Sequence, residues 1–166
     1  YLEKLLAFDT TSAHPNADLI AWVQAQLVAM GAKVQIIENA EGSKANLFAT
    51  IGPGDRGGVM LSGHTDVVPV VGQIWTVPAF AMTSKDGKVY GRGSANIKEF
   101  VAAMLSAARK ASGQNLRTPL HLALSYDEEI GCIGVRSMID MLSAAPHLPL
   151  MCVVGEPTGL AVATGH

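Results

Sequence analysis

The chain has 166 residues, 49% of them hydrophobic and 16% charged, and its 12 Lys+Arg against 14 Asp+Glu leave a formal net charge of -2. That length fits one compact domain with a real core, and the composition excludes a disordered chain. With no basic stripe and only 5% aromatic residues, nucleic acid is not expected as a partner. No apolar run approaches the ~20 residues of a membrane span, and the opening Tyr1-Leu2-Glu3-Lys4-Leu5-Leu6 lacks the charged-then-apolar order of a cleaved leader. Cys132 and Cys152 stand outside any CxxC spacing, so neither a disulfide framework nor a zinc ribbon is expected. Two such thiols suit a reducing compartment, and the cytoplasm is the expected location.

In chain order, Leu19, Val23, Leu27 and Met30 recur at helical spacing, predicting an amphipathic helix from Asp18 to Met30 that Gly31 ends. "AKVQIIE" and "ANLFATI" read as strands separated by the turn "NAEGS", and "GGVMLSG" is a third strand entered through "GPGDRGG". Ile97, Phe100, Val101, Met104, Leu105 and Ala108 then predict a strong helix, with Asn96 at or just inside its start. "LHLALSY" alternates as a strand, Val135, Met138, Ile139 and Leu142 mark a further helix, and "LMCVVG" reads as a buried strand. Strands interleaved with helices predict an α/β sandwich, with no linker long enough to divide it.

In such sheets ligands sit beyond the carboxyl ends of strands. "VMLSG" runs into His64-Thr65-Asp66, "LHLALSY" into Asp127-Glu128-Glu129, and "LMCVVG" into Glu156. Singly, each has an ordinary structural explanation: a His in a turn, or acidic residues favoured at a helix start by the dipole. Together they supply the imidazole nitrogen and carboxylate oxygens that a borderline divalent cation takes. A phosphate-binding reading of "GRGSAN" fails because the third Gly of GxGxxG is absent, and no Ser sits in a GxSxG elbow.

"SGHTDVVPV", "GRGSANIK", "SYDEEIGCIG" and "VVGEPTG", in this order and at these separations, resemble the first half of the zinc-dependent M20 amidohydrolases. Within that family "DTTSAHPN", "GQIW" and "YDEEIGCIGVR" are more similar to the acetylornithine deacetylase branch than to succinyl-diaminopimelate desuccinylases, dipeptidases or carboxypeptidases. The resemblance implies a three-layer α/β sandwich with a mixed central sheet, of the zinc-peptidase kind. Residues 1–166 would form the N-terminal portion of its catalytic domain, without the lid and dimerisation domain or the C-terminal portion. It also implies a small N-acyl amino-acid substrate, N-acetyl-L-ornithine in arginine biosynthesis being the first choice, and a homodimer for the full-length protein.

Residue by residue, the resemblance makes His64 a ligand to one zinc ion, with Asp66 behind it accepting the imidazole N–H. Glu129 and Glu156 become carboxylate ligands, one to each ion, and Glu128 the general base that takes a proton from the attacking water and hands it to the leaving amine. Cobalt could replace zinc. In the family the motif reads approximately G-R-G-x-x-D-M-K-G, and its Asp bridges two ions; here Asn96, Ile97 and Glu99 replace Asp, Met and Gly. An amide has one neutral oxygen and an NH2 group that cannot ligate, so one tightly held ion, or weakened binding of two, and reduced activity are expected. Val71, Ile74 and Val77 stand where the family usually carries acidic residues. His166 comes too early to be the family's last His ligand and reads as an ordinary strand-end residue. A non-catalytic relative, keeping the fold for binding or assembly, is the alternative, and this chain alone is expected to be inactive.

Overall fold

A computed structural model describes residues 1–164; His166 lies outside the described residues. The elements in order are α1 (Leu2–Leu6), α2 (Ala17–Ala29), β1 (Lys33–Glu38), β2 (Ala45–Ile51), β3 (Val59–His64), β4 (Thr83–Lys85), β5 (Lys88–Tyr90), α3 (Lys98–Ser112), β6 (Leu120–Ser125), α4 (Arg136–Ser143) and β7 (Met151–Val154). Five strands form a mixed sheet in the order β1-β2-β6-β3-β7. The β1–β2 and β2–β6 pairs are antiparallel, whereas β3 runs parallel to both β6 and β7.

Side chains alternate across a strand, and the two faces of β2 show what that does. Ala45, Leu47, Ala49 and Ile51 point into a core completed by Leu122 and Leu124 of β6, by Leu19, Ile20, Val23 and Leu27 of α2, and by Val101, Met104, Leu105 and Ala108 of α3. Each large apolar side chain so buried contributes about 1.5–3 kcal/mol relative to exposure. On the opposite face, Asn46 Nδ2 donates to the Gly134 carbonyl at 2.8 Å and to Ser137 Oγ at 3.0 Å, tying the sheet to α4 and the loop before it. Helices on both sides of a mixed sheet give the expected three-layer sandwich.

Some expectations change. Asn96 is outside the helix: α3 begins at Lys98, Ile97 occupies the N-cap, and no side chain caps it. β7 is exposed along its length, because it is the outermost strand and, among the described residues, pairs only with β3. Ile139, read as part of the apolar face of α4, is exposed, while Met138 is buried. The short α1 and the β4–β5 hairpin have no counterpart in the sequence pattern; five and three residues are too few for a periodic signal to develop.

Candidate metal centre

The site assembles where β3 and β6 run side by side and end together. His64 pairs with Ser125 in the parallel register, and beyond it the Thr65 N–H and hydroxyl both donate to the Ser125 carbonyl, at 2.8 and 2.9 Å. Asn16 Nδ2 donates to Thr65 Oγ1 at 2.9 Å, and the Thr10 hydroxyl donates to the Thr65 carbonyl at 2.6 Å. Both strand ends therefore reach the site on a rigid base.

Asp66 organises the acidic loop that leaves β6. The Glu128 N–H donates to its Oδ1 at 3.0 Å, the Glu129 N–H to Oδ2 at 3.1 Å, and the Ser12 hydroxyl to Oδ2 at 2.7 Å. Asp127 makes this possible by turning the backbone with φ 55°, a left-handed conformation that Asp tolerates better than most residues, and Lys44 Nζ holds its carboxylate at 2.5 Å. Burial by itself would raise the Asp66 carboxyl, yet donors from His64, Ser12 and Glu128 hold it below the ordinary carboxylate range.

His64 is 2% exposed. Its Nδ1 lies 2.9 Å from the Asp66 carbonyl oxygen and 3.3 Å from Asp66 Oδ1, so the nearer acceptor for the imidazole N–H is the main chain and the carboxylate is the longer one. With Nδ1 carrying the proton, Nε2 keeps its lone pair. That buried nitrogen has no hydrogen-bond partner and faces Glu128 Oε2 at 3.5 Å and Glu156 Oε1 at 3.6 Å. Ligand atoms of His64, Glu128 and Glu129 all lie within 4.8 Å of one another. Burial lowers the affinity of His64 for a second proton, but Asp66, Glu128 and Glu156 outweigh it and raise the imidazole pKa. Glu129 moves upward, through burial first and then its acidic neighbours, with His64 opposing.

Four of the residues singled out in the sequence, His64, Glu128, Glu129 and Glu156, thus converge, with Asp66 beneath them. Glu128 is the nearer of the two neighbours to the imidazole, at 3.5 Å from Nε2, and Glu129 lies within 4.8 Å, so distance alone does not divide ligand from base. Asn96 precedes α3, and its Oδ1 is buried without a partner. Sequence reading missed Ser12 and Lys44, whose contacts to Asp66 and Asp127 span 54 and 83 residues. Beside Glu129 opens a cleft of about 270 Å³, lined by Thr11, Ser12, Ala13, Val68, Pro69 and Ile130. The loop after Pro69 exposes Ile74 almost fully, at 99%, and is held by Arg92, which donates to Gln73 Oε1 and lies 5.1 Å over the Trp75 ring.

The family model for peptidase family M20/M25/M40 matches residues 60–165. The chain belongs to this family. Among curated M20 relatives, the acetylornithine deacetylase of Myxococcus xanthus is 39% identical over 165 residues, covering 96% of this chain and 41% of that protein. The acetylornithine deacetylase of Vibrio parahaemolyticus is 34% identical, covering 91% of this chain and 39% of that protein. The chain therefore spans about two fifths of the length of these relatives. In fold it is similar to the M20 metallo-carboxypeptidase Sso-CP2 of Sulfolobus solfataricus, at TM-score 0.78 and 21% identity over 93% of this chain and 36% of that one. Human carnosine dipeptidase 1 superposes at TM-score 0.75 with 23% identity, covering 93% and 37% of the two chains. Among the described residues no helix is long and apolar enough to cross a membrane.

The residues present fit a divalent metal. A buried imidazole nitrogen with its lone pair free, facing carboxylate oxygens, is a donor set that zinc or cobalt takes, and a metal ion would satisfy an atom that otherwise bears the cost of unpaired burial.

Proposed function

We propose that this chain carries the N-terminal portion of the catalytic domain of a metal-dependent amidohydrolase acting on N-acyl amino acids, with N-acetyl-L-ornithine as the first substrate to try. The observation that carries the reading is the unpartnered Nε2 of buried His64, turned toward Glu128 and Glu156. Relatives named acetylornithine deacetylase support the choice of substrate. His64, Glu129 and Glu156 would hold the metal, zinc first and cobalt as a substitute, with Asn96 at a position where a second ion is bound weakly. A divalent ion supplies positive charge that polarises an amide carbonyl and acidifies water.

The protein groups do the rest. Asp66 fixes the backbone of Glu128 and Glu129 through their N–H groups, so both side chains start from a set position. Glu128, partly open to solvent and 3.5 Å from the imidazole, would take a proton from water and return it to the departing amine nitrogen. The cleft beside Glu129 would receive the substrate.

The test uses the intact protein, stripped of metal and reconstituted with Zn²⁺ or Co²⁺, on a panel of N-acyl amino acids. Ion-dependent release of the free amino acid is expected, and Glu128→Gln should lower kcat about 10²- to 10⁴-fold while leaving metal binding in place. Turnover that survives both chelation and Glu128→Gln would refute the reading. Asn96 favours a second reading, a non-catalytic relative. Asn96→Asp separates the two: a gain in turnover supports an enzyme with a weakened centre, and no turnover in either form supports a binding module.

A further inference from the structure

Resting on the metal-centre reading, we infer that Glu99 is an additional ligand of the site, supplying from the first turn of α3 the anionic oxygen that Asn96 lacks. Two buried oxygens at this end of α3 have no hydrogen-bond partner, Asn96 Oδ1 and Glu99 Oε2. The helix start carrying them is seated on the strand ends that bear the other candidate ligands. A Cβ on Gly63, the residue before His64, would lie 3.5 Å from Ile97 Cδ1 and 3.6 Å from the Phe100 ring. A Cβ on Gly155, the residue before Glu156, would fall 1.9 Å from Phe100 Cγ. Glu99 lies between Ile97 and Phe100 in the chain, and both His64 and Glu156 are within its electrostatic reach.

An ordinary role for an acidic residue here is to complement the helix dipole. That role keeps a carboxylate at the surface, accepting hydrogen bonds from water or from free N–H groups. The Glu99 carboxyl accepts from its own N–H and that of Phe100, as that role requires, yet its Oε2 lies out of solvent with no partner, which is costly for an anion unless a cation meets it. Burial is the largest influence on the carboxyl and pushes it upward past the opposing pull of those two N–H groups, and Glu156 pushes the same way as burial. A divalent ion would reverse both effects. Since an amide offers a metal only a neutral oxygen, a carboxylate three positions along the chain restores the lost charge.

Zn²⁺ affinity and stoichiometry of the intact, metal-stripped protein, measured by competition with a chromophoric chelator, test this, together with the Co²⁺ absorption spectrum. Glu99→Gln and Glu99→Gly should each weaken binding of an ion at least about tenfold and change the Co²⁺ spectrum, and Asn96→Asp added to Glu99→Gln should recover the affinity. Melting curves of the metal-free forms should differ little. If both Glu99 variants bind with the wild-type affinity, stoichiometry and spectrum while His64→Ala loses the ion, Glu99 is no ligand and the metal centre stands. If the wild type binds no ion, or His64→Ala binds as the wild type does, the centre and the Glu99 inference fall together.

Discussion

Ser12 donates to a carboxylate that is itself out of solvent, and hydrogen bonds to buried charge are the strong ones. Ser12→Ala should therefore cost about 1.5–3 kcal/mol, read as a lower urea midpoint at neutral pH. The sign of the pH dependence comes from Asp66, whose carboxyl sits below its ordinary 3.8 in the fold. Its contribution is present above that value and is lost as acid protonates the folded form, so wild type and Ser12→Ala should converge in stability at low pH. A difference that persists unchanged in acid would contradict this account. The sequence made His64, Glu128, Glu129 and Glu156 readable because each closely follows an apolar strand. Ser12 carried no such mark: a serine in a loop has no pattern, and its partner lies 54 residues away.

The start of α3 combines two unusual packings. Lys98 is completely buried, and its Nζ donates to the Phe8 carbonyl at 2.7 Å. Desolvation lowers its pKa from 10.5 to about 8, with Asp9 opposing. The unfolded chain therefore binds the proton more tightly, and the cost of burying the charge is fully present below about pH 8. As pH rises from there toward 10.5 that cost is relieved, by about 3 kcal/mol in all. The difference in urea midpoint between wild type and Lys98→Met should shift in favour of the wild type across this window, because the variant lacks this contribution. Nearby, Phe100 fills the space a side chain at Gly155 would need. Gly155→Ala should cost about 1–3 kcal/mol and weaken Zn²⁺ binding by displacing Glu156, and trimming the ring with Phe100→Leu should recover part of both. Periodicity foretold this helix and its buried face. The burial of Lys98 was invisible because charge normally marks the solvent side, and only the surrounding loops close over it.

At the scale of the molecule, the three layers were legible from alternating strands and helices, and the exposure of β7 was not. Its run of apolar residues reads as an interior strand, yet Met151, Val153 and Val154 are open in this chain, as is Leu150 before them. An apolar edge strand is a template for further pairing. The isolated chain should therefore self-associate, and Val153→Lys should reduce that association in size-exclusion chromatography without loss of helical signal. The strand order was also beyond reach, since patterning tells which segments are strands and little about which are neighbours. It carries a consequence for how the chain is made. β2 and β3 are consecutive in sequence but are separated in the sheet by β6, which pairs with both. A nascent chain that has emerged only as far as α3 holds two apolar strands and no partner between them. The centre of the sheet, and with it the alignment of His64 beside Glu128, closes only when Leu120–Ser125 leaves the ribosome and fills the gap.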